Sequence, residues 1–329
     1  MDKKKLCITG IGGFIGSRLA ELFSEKGAIV SGIEIDPEKV KNLQKKGFNV
    51  YQGSTNDTEL LGRAFEGCDI VLHTAAIVRE GGNLEDFRSV NVHASVEIAK
   101  IAKTLGVKVM VHFSSVMVYG FTYPPFITEN GELRGEGNPY CITKIEGERE
   151  LSKLIDPNFG IIFIRPGDVY GPNSMPWVMR PLDLMKRGLF ALPDGGNGKI
   201  NLTYIDNLAH GVYLAIQEKA YGEAFNITDG ETLTWKEYFT RLADAGGHTH
   251  PMVLPAFLLK GLVRALGFGY SLMGEEPPVS EEGVNFLLRQ NQVSIEKART
   301  KLGYNPKVPM PDGVRKTMDW VSQNYKSKI

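Results

Sequence analysis

Over the first 165 residues, short apolar runs alternate with longer stretches whose apolar positions recur every three or four residues. The short runs read as strands buried on both faces, the longer stretches as helices packed on one side. Strands are expected at Leu6 to Ile8, Ala28 to Glu34, Phe48 to Tyr51, Asp69 to Ala75, Val107 to Phe113 and Phe159 to Ile164. Helices are expected from about Phe14 to Lys26, Thr58 to Phe65, Leu84 to Leu105 and Asn138 to Leu154. This order describes an α/β chain with a doubly wound parallel sheet, whose ligands meet the carboxyl ends of the strands. After Pro172 the elements shorten and Pro and Gly become more frequent. Residues 1–172 are therefore expected to form one domain and 173–329 mainly a smaller one, with some segments returning to the first.

The first strand runs directly into Thr9-Gly10-Ile11-Gly12-Gly13-Phe14-Ile15-Gly16. Glycines at this spacing between a strand and a helix form a Rossmann-type dinucleotide site. Gly10 permits the turn, Gly13 admits a pyrophosphate to the backbone, and Gly16 lets the helix pack closely. The helix that follows points its positive end at the phosphates. The second strand ends in Glu34, eighteen residues after Gly16, where a carboxylate can accept hydrogen bonds from the adenosine ribose. Two like charges ~4 Å apart at an effective dielectric of ~20 repel by ~4 kcal/mol, so Glu34 favours NAD over NADP. Asp36, followed by Pro37, suits a helix cap better than a ribose ligand.

Composition narrows the partners. Lys and Arg number 38 and Asp and Glu 38, which leaves no overall electrostatic footprint for nucleic acid or anionic membrane; only local patches could attract either. Three cysteines, Cys7, Cys68 and Cys141, are too few and scattered for a disulfide framework or a metal site, and they suit free thiols in a reducing cytoplasm. The basic start Met1 to Lys5 is followed by an apolar stretch that breaks at Thr9-Gly10, so no signal peptide is expected.

Tyr140 and Lys144 stand at i and i+4, on one helical face. Ser114 and Ser115 follow the strand ending at Phe113, at the edge of the sheet that receives ligands. Together with the glycine loop these residues resemble the extended short-chain dehydrogenase/reductase family, also called the NAD-dependent epimerase/dehydratase superfamily. The resemblance extends through His73 to Ala76, Asn91-Val92, Tyr119-Gly120, Arg165 to Pro172 and Tyr204 to Asn207. It implies Ser115, Tyr140 and Lys144 as the catalytic trio. It also implies a dinucleotide held by Gly10, Gly13, Phe14, Ile15, Gly16, Glu34, Ser54, Thr55, Ala75, Ala76, Tyr140, Lys144, Pro166 and Val169. Ser54 departs from the family pattern, which usually has an acid there for the adenine amino group. A homodimer through the helices at 84–105 and 138–154 is a further family-level expectation.

In the roles so implied, Tyr140 exchanges a proton with the substrate oxygen. Lys144 and a positive nicotinamide ring favour its phenolate, since lowering a phenol pKa by ~3 units takes ~4 kcal/mol. Ser115 orients the reacting oxygen. Ser114 reads as a hydroxyl serving the backbone. Family members acting on sugar nucleotides commonly carry an Asn where this chain has Asp168, and an Arg where it has Ile200. The segment Asn201 to His210 looks instead like the 3β-hydroxysteroid and sterol dehydrogenase-like branch. An NAD-dependent oxidoreductase acting on a secondary alcohol or ketone of an apolar, sterol-like substrate is therefore expected, with Met117, Met175, Trp177 and Leu202 as candidate pocket residues. A nucleotide-sugar 4-epimerase or dehydratase that retains its NAD is the enzymatic alternative, and an NAD-binding protein without turnover is the non-enzymatic one.

Leu258, Leu259, Leu262, Val263 and Leu266 make a helical stripe after Pro255, interrupted by Lys260 and Arg264. It is too short and too charged to span a bilayer. A packed helix of the smaller domain is the first reading; a greasy lid or a peripheral membrane contact is the other.

Overall fold

The computed structural model describes residues 1–79, 81–272 and 280–325. Six strands, β1 (Lys5–Thr9), β2 (Ile29–Glu34), β3 (Asn49–Gln52), β4 (Ile70–His73), β5 (Val109–Phe113) and β6 (Gly160–Pro166), are joined by an edge strand at Ala224–Ile227. Their order is Ala224–Ile227, β6, β5, β4, β1, β2, β3, and all neighbours are parallel. Alternate side chains feed two cores. Leu6, Ile8, Leu72, Val111, Ile162 and Ile164 enter one, while Cys7, Val71, Met110, Ile161 and Phe163 enter the other. A sheet covered on both faces explains why its central strands read as continuous apolar runs rather than as alternating ones.

The helices α1 (Phe14–Glu25), α2 (Pro37–Lys45), α3 (Thr58–Phe65), α4 (Leu84–Arg88), α5 (Ser95–Thr104) and α6 (Pro139–Ser152) fall close to the expected segments. The helix expected as one piece from Leu84 to Leu105 contains a wider π-helical turn at Ser89–Ala94, between α4 and α5. Asp36 caps α2, accepting the amides of Glu38 and Lys39. Strand order reverses around β1, so the glycine loop at its carboxyl end opens into the crevice where doubly wound sheets bind ligands.

Beyond β6 the chain forms short strand pairs, Asp168–Tyr170 with Leu202–Tyr204 and Ala191–Pro193 with Met252–Leu254. The helix Ile205–Gln217 then packs on α1, where Arg18 Nε meets Asp206 at 2.6 Å, and leads into the edge strand. The chain thus crosses back to the main sheet after residue 172. Helices Trp235–Gly246, Ala256–Leu272, Glu281–Leu287, Glu296–Leu302 and Met310–Asn324 complete it. Among the described residues, no helix is long and apolar enough to cross a membrane.

A buried polar network ties these parts together. Arg165 on β6 grips Glu148 of α6 with two hydrogen bonds, 2.9 and 2.6 Å, and donates to the Tyr119 hydroxyl at 2.8 Å. Tyr119 in turn donates to Asn226 of the edge strand at 2.8 Å. Removing one member of a buried ion pair strands the other charge, at about 3–5 kcal/mol, whereas replacing both with apolar groups is often neutral. Arg165→Met should therefore lower unfolding free energy by ~3–5 kcal/mol in urea titrations, and Glu148→Met with Arg165→Met should recover most of that loss. Equal stability of Arg165→Met and the unmutated chain would refute this.

Candidate active site

Asn138 begins α6 by accepting the Cys141 amide at 3.0 Å, with Pro139 in the first turn. Tyr140 and Lys144 then stand one turn apart, with Lys144 Nζ 5.6 Å from the centre of the Tyr140 ring. The buried Lys144 ammonium donates to the carbonyl of Phe113, the last residue of β5, at 2.7 Å. Ser115 Oγ accepts the Met117 amide at 3.1 Å and so starts the tight turn Val116–Tyr119. Its proton is left for another partner, and the Ser115 hydroxyl bears on the Tyr140 phenol. The three residues of the implied trio therefore meet at the carboxyl end of β5.

Burial pushes the Tyr140 phenol up to about 12, against a weaker downward pull from Ser115. Burial also pushes Lys144 down to about 8, with Glu148 opposing. Without the nicotinamide charge that the expected phenolate included, the chain by itself holds Tyr140 as an acid, because an apolar setting disfavours both charges and the ammonium is engaged by the Phe113 carbonyl. Ser114 differs from expectation, since its buried hydroxyl has no hydrogen-bond partner instead of serving the backbone.

At the other end of the crevice the residues fit a dinucleotide. Gly10 has φ +69°, and a Cβ at Gly16 would lie 2.3 Å from the Gly10 carbonyl oxygen, so helix and loop are as close as glycine allows. Gly13 begins α1, whose first turn carries no acidic side chain to compete with a phosphate. Glu34 is 6% exposed and is fixed by three amides, those of Gly12 at 2.9 Å and of Ile35 and Asp36 at 3.0 Å. Phe14, Ile15, Ala75, Ala76 and Thr55 stand partly exposed around this edge, as does Ser54, whose hydroxyl accepts the Asn56 amide. Pro166 and Val169 are buried where β6 passes into the Asp168–Tyr170 strand.

A buried chain of hydrogen bonds links the two ends, and the pattern of residues gave it no role in advance. Ser95 donates to the Asn91 carbonyl at 2.9 Å, so it must accept from His73 Nε2 at 2.7 Å. His73 Nδ1 is then the acceptor for Thr9 Oγ1, also at 2.7 Å. Burial, reinforced by the Lys144 charge, pushes His73 down to about 3 and keeps this neutral tautomer. Asn91 accepts the Ile77 amide at 2.8 Å and donates to Thr143 of α6 at 3.2 Å. The dinucleotide loop and the catalytic helix are thereby braced against one another.

On the substrate side Met117 and Trp177 are partly buried and Met175 is 47% exposed. Leu202 departs from expectation: at 1% exposure it is enclosed in the core and shows no open surface. Trp177 stacks on Trp235 and Phe286, with ring centres 5.2 and 5.5 Å apart, and Phe286 meets Phe121 edge-on. Asp168 is not turned to a ligand as a bare charge. It accepts from Arg289 Nη2 at 2.5 Å and from the Asn201 amide at 2.8 Å, all three residues being buried. Arg289, 121 residues away in sequence, lies over the Phe286 ring at 4.6 Å, and its Nη1 has no partner. No local motif could have indicated it.

The model of the NAD dependent epimerase/dehydratase family matches residues 6–228. The chain belongs to that family. It is 27% identical to 2-alkyl-3-oxoalkanoate reductase of Stenotrophomonas maltophilia, over 95% of this chain and 98% of that protein. It is 26% identical to the decarboxylating sterol-4-alpha-carboxylate 3-dehydrogenase of Dictyostelium discoideum, over 94% and 99%. The fold is that of UDP-glucuronic acid 4-epimerase from Bacillus cereus, crystallised with NAD, at a TM-score of 0.78, 24% identity and coverage of 98% and 100%. NAD is accordingly the cofactor, and the enzyme is an extended short-chain dehydrogenase/reductase.

The three amides that hold Glu34 fix a negative charge beside the glycine loop. NAD should bind at least ~10-fold tighter than NADP, and Glu34→Ala should narrow the gap by removing like-charge repulsion. Titration of both cofactors checks this; equal affinities in the unmutated chain would end the assignment.

Proposed function

We propose that this chain is an NAD-dependent oxidoreductase that interconverts a secondary alcohol and a ketone on an apolar, sterol-like skeleton. One observation carries the reading: Ser115, Tyr140 and Lys144 meet at the carboxyl end of β5, and the turn that Ser115 begins leads through Gly120 to Phe121, which meets an aromatic cluster of Phe286 and Trp177 whose buried cation, Arg289, is already paired with Asp168. The relatives support it, since both named proteins are a reductase or dehydrogenase of an oxygen function at carbon 3 next to a carboxylate-bearing carbon. NAD, when bound, supplies or takes up the hydride. In this reading Gly10, Gly13, Phe14, Ile15, Gly16, Glu34, Ser54, Thr55, Ala75, Ala76, Pro166 and Val169 hold it, and residues 173–329 mainly hold the substrate.

The proton work falls to the chain. In ketone reduction the Tyr140 phenol, kept neutral by burial, gives its proton to the substrate oxygen as that oxygen gains charge. Ser115 donates its own O–H to the same oxygen and holds it in line. Lys144 lies under Tyr140 and offsets the phenolate that results. In alcohol oxidation the same groups run in reverse. Met117, beside Ser115, and the Trp177 and Met175 side chains form the apolar face of the pocket, with Leu202 supporting it from the core. A homodimer through the helices at 84–105 and 138–154, and a peripheral contact with a lipid surface, belong to this reading.

Tyr140→Phe keeps the ring and removes the transferable proton, so turnover should fall by ~100-fold or more while NAD affinity changes little. A screen for NADH formation with sterols, other secondary alcohols and sugar nucleotides identifies the substrate on which to measure it. Near-normal turnover by Tyr140→Phe would move the acid elsewhere.

The sugar-nucleotide alternative has its own check, because the likeness to UDP-glucuronic acid 4-epimerase is one of fold. With Ile200 in the core and Arg289 committed to Asp168, calorimetry should show no micromolar binding of UDP-glucose, UDP-galactose or dTDP-glucose. Micromolar binding abolished by Arg180→Ala or Lys199→Ala would promote the epimerase instead.

A further inference from the structure

The helix Ala256–Leu272 is the most unusual surface of the molecule. Expected first as a packed helix, it buries only Val263 among its described large apolar side chains, while Phe257 is 73% exposed, Leu258 47%, Leu262 54%, Leu266 49% and Phe268 68%. Exposure does not stop at the helix. Met252 and Val253, in the strand before it, are 45% and 46% exposed, and Leu189 is 62% exposed. Met252 donates its amide to the Phe190 carbonyl, so Leu189 adjoins the strand that leads into the helix. Five large apolar side chains exposed along one helix, with three more beside it in the chain and the strand pair, exceed the scattered exposed residues that a globular surface ordinarily carries.

We infer that this face docks on a lipid surface bearing anionic headgroups. Two observations choose that occupant. The first is charge: from Ala245 to Leu272 the chain contains no Asp or Glu, while it carries Lys260 and Arg264, of which Arg264 is paired with Glu281, and Arg187 lies two residues before Leu189. At 100° per residue Lys260 and Arg264 lie on one border of the exposed arc, with Phe257 and Phe268 beside them and Leu258, Leu262 and Leu266 across it. Basic residues along one border of an exposed Leu and Phe face are the arrangement of helices that lie in a membrane interface rather than cross it. The second is position. Arg264 binds both oxygens of Glu281, and the adjoining Glu282 accepts from Asn138, the residue that caps the catalytic helix, at 2.6 Å. Phe286 of the same helix belongs to the aromatic cluster. The greasy face is thus joined, through the helix Glu281–Leu287, to the cap of α6 and to the aromatic cluster.

Its purpose rests on the apolar-substrate reading: a water-insoluble alcohol or ketone would be met where it is dissolved. Its evidence does not, and the test needs no substrate. Flotation of the purified chain with vesicles of phosphatidylcholine and phosphatidylglycerol, and with phosphatidylcholine alone, measures docking directly. The chain should float with the mixed vesicles, and less with phosphatidylcholine alone. Leu258→Ser combined with Leu262→Ser and Leu266→Ser should reduce flotation by ~10-fold or more without altering circular dichroism or NAD affinity. Lys260→Glu should weaken docking to the anionic vesicles alone. Failure to float with either vesicle, or equal flotation of the triple variant, overturns the inference while leaving the dehydrogenase reading intact. A dimer in light scattering that dissociates in the triple variant, without vesicle binding, would make the face an interface between copies and also overturn it.

Discussion

The buried pair of Arg165 and Glu148 sets the distances on which the site depends. Each belongs to an element that the chemistry needs: Arg165 ends β6 beside the strand that presents Ser115, and Glu148 lies one turn beyond Lys144 on the helix that presents Tyr140. By also taking the Tyr119 hydroxyl, Arg165 fixes the far end of the turn that Ser115 begins. Asn226, fully buried, receives Tyr119 and binds Glu129 through its amide, so the edge strand contributed by the second half of the chain is held by the same cation. An ion pair of this kind gains little net stability over an apolar replacement. Its value lies in direction. A planar guanidinium with five donors admits one relative placement of four chain segments, whereas apolar packing tolerates several.

Around that pair the site is arranged to keep charges few. Burial outweighs the attraction between neighbours, as the opposite displacements of Tyr140 and Lys144 show. Both buried imidazoles, His73 and His112, are held neutral, and the two rings lie 5.6 Å apart across β4 and β5. Neutrality matters for His73, because only the uncharged ring can accept from Thr9 while donating to Ser95. A second proton would break the brace between the dinucleotide loop and α6. His112 bonds to nothing through either nitrogen, a cost of about 1–3 kcal/mol for each unsatisfied polar group that the surrounding core must offset.

What could be read from the chain in advance follows from how local each determinant is. The strand-to-helix glycine junction, the cap at Asp36 and the pairing of Tyr140 with Lys144 all depend on residues within a turn or two of one another. The π-helical turn at Ser89–Ala94 escaped because it widens a helix without changing its apolar repeat. Leu202 was misplaced because alternation in a three-residue strand does not reveal which face meets the core. The stripe at Leu258 to Leu266 shows the opposite limit: periodicity established the helix, yet an apolar stripe looks the same whether it faces a core or solvent. The burial that raises Tyr140 in the chain alone was not legible for a further reason, since desolvation depends on everything packed around a group and not on its sequence neighbours.

The pair of Asp168 and Arg289 shows why the substrate end needed three dimensions. Read alone, Asp168 is a negative charge that would repel phosphate, and an arginine far along the chain is one basic residue among many. Together they form a neutral unit, Arg289 Nε and Nη2 being used by the Lys199 carbonyl and Asp168. The third nitrogen, Nη1, is buried and unpartnered, in a guanidinium that lies 4.6 Å from the centre of the Phe286 ring and 5.7 Å from that of Trp235. At a distance such a unit offers no excess positive field to draw in a pyrophosphate, because attraction of a dianion needs uncompensated charge. For the bulky apolar alcohol or ketone proposed above, recognition at this end would therefore fall to shape, apolar contact and single hydrogen bonds, and not to charge.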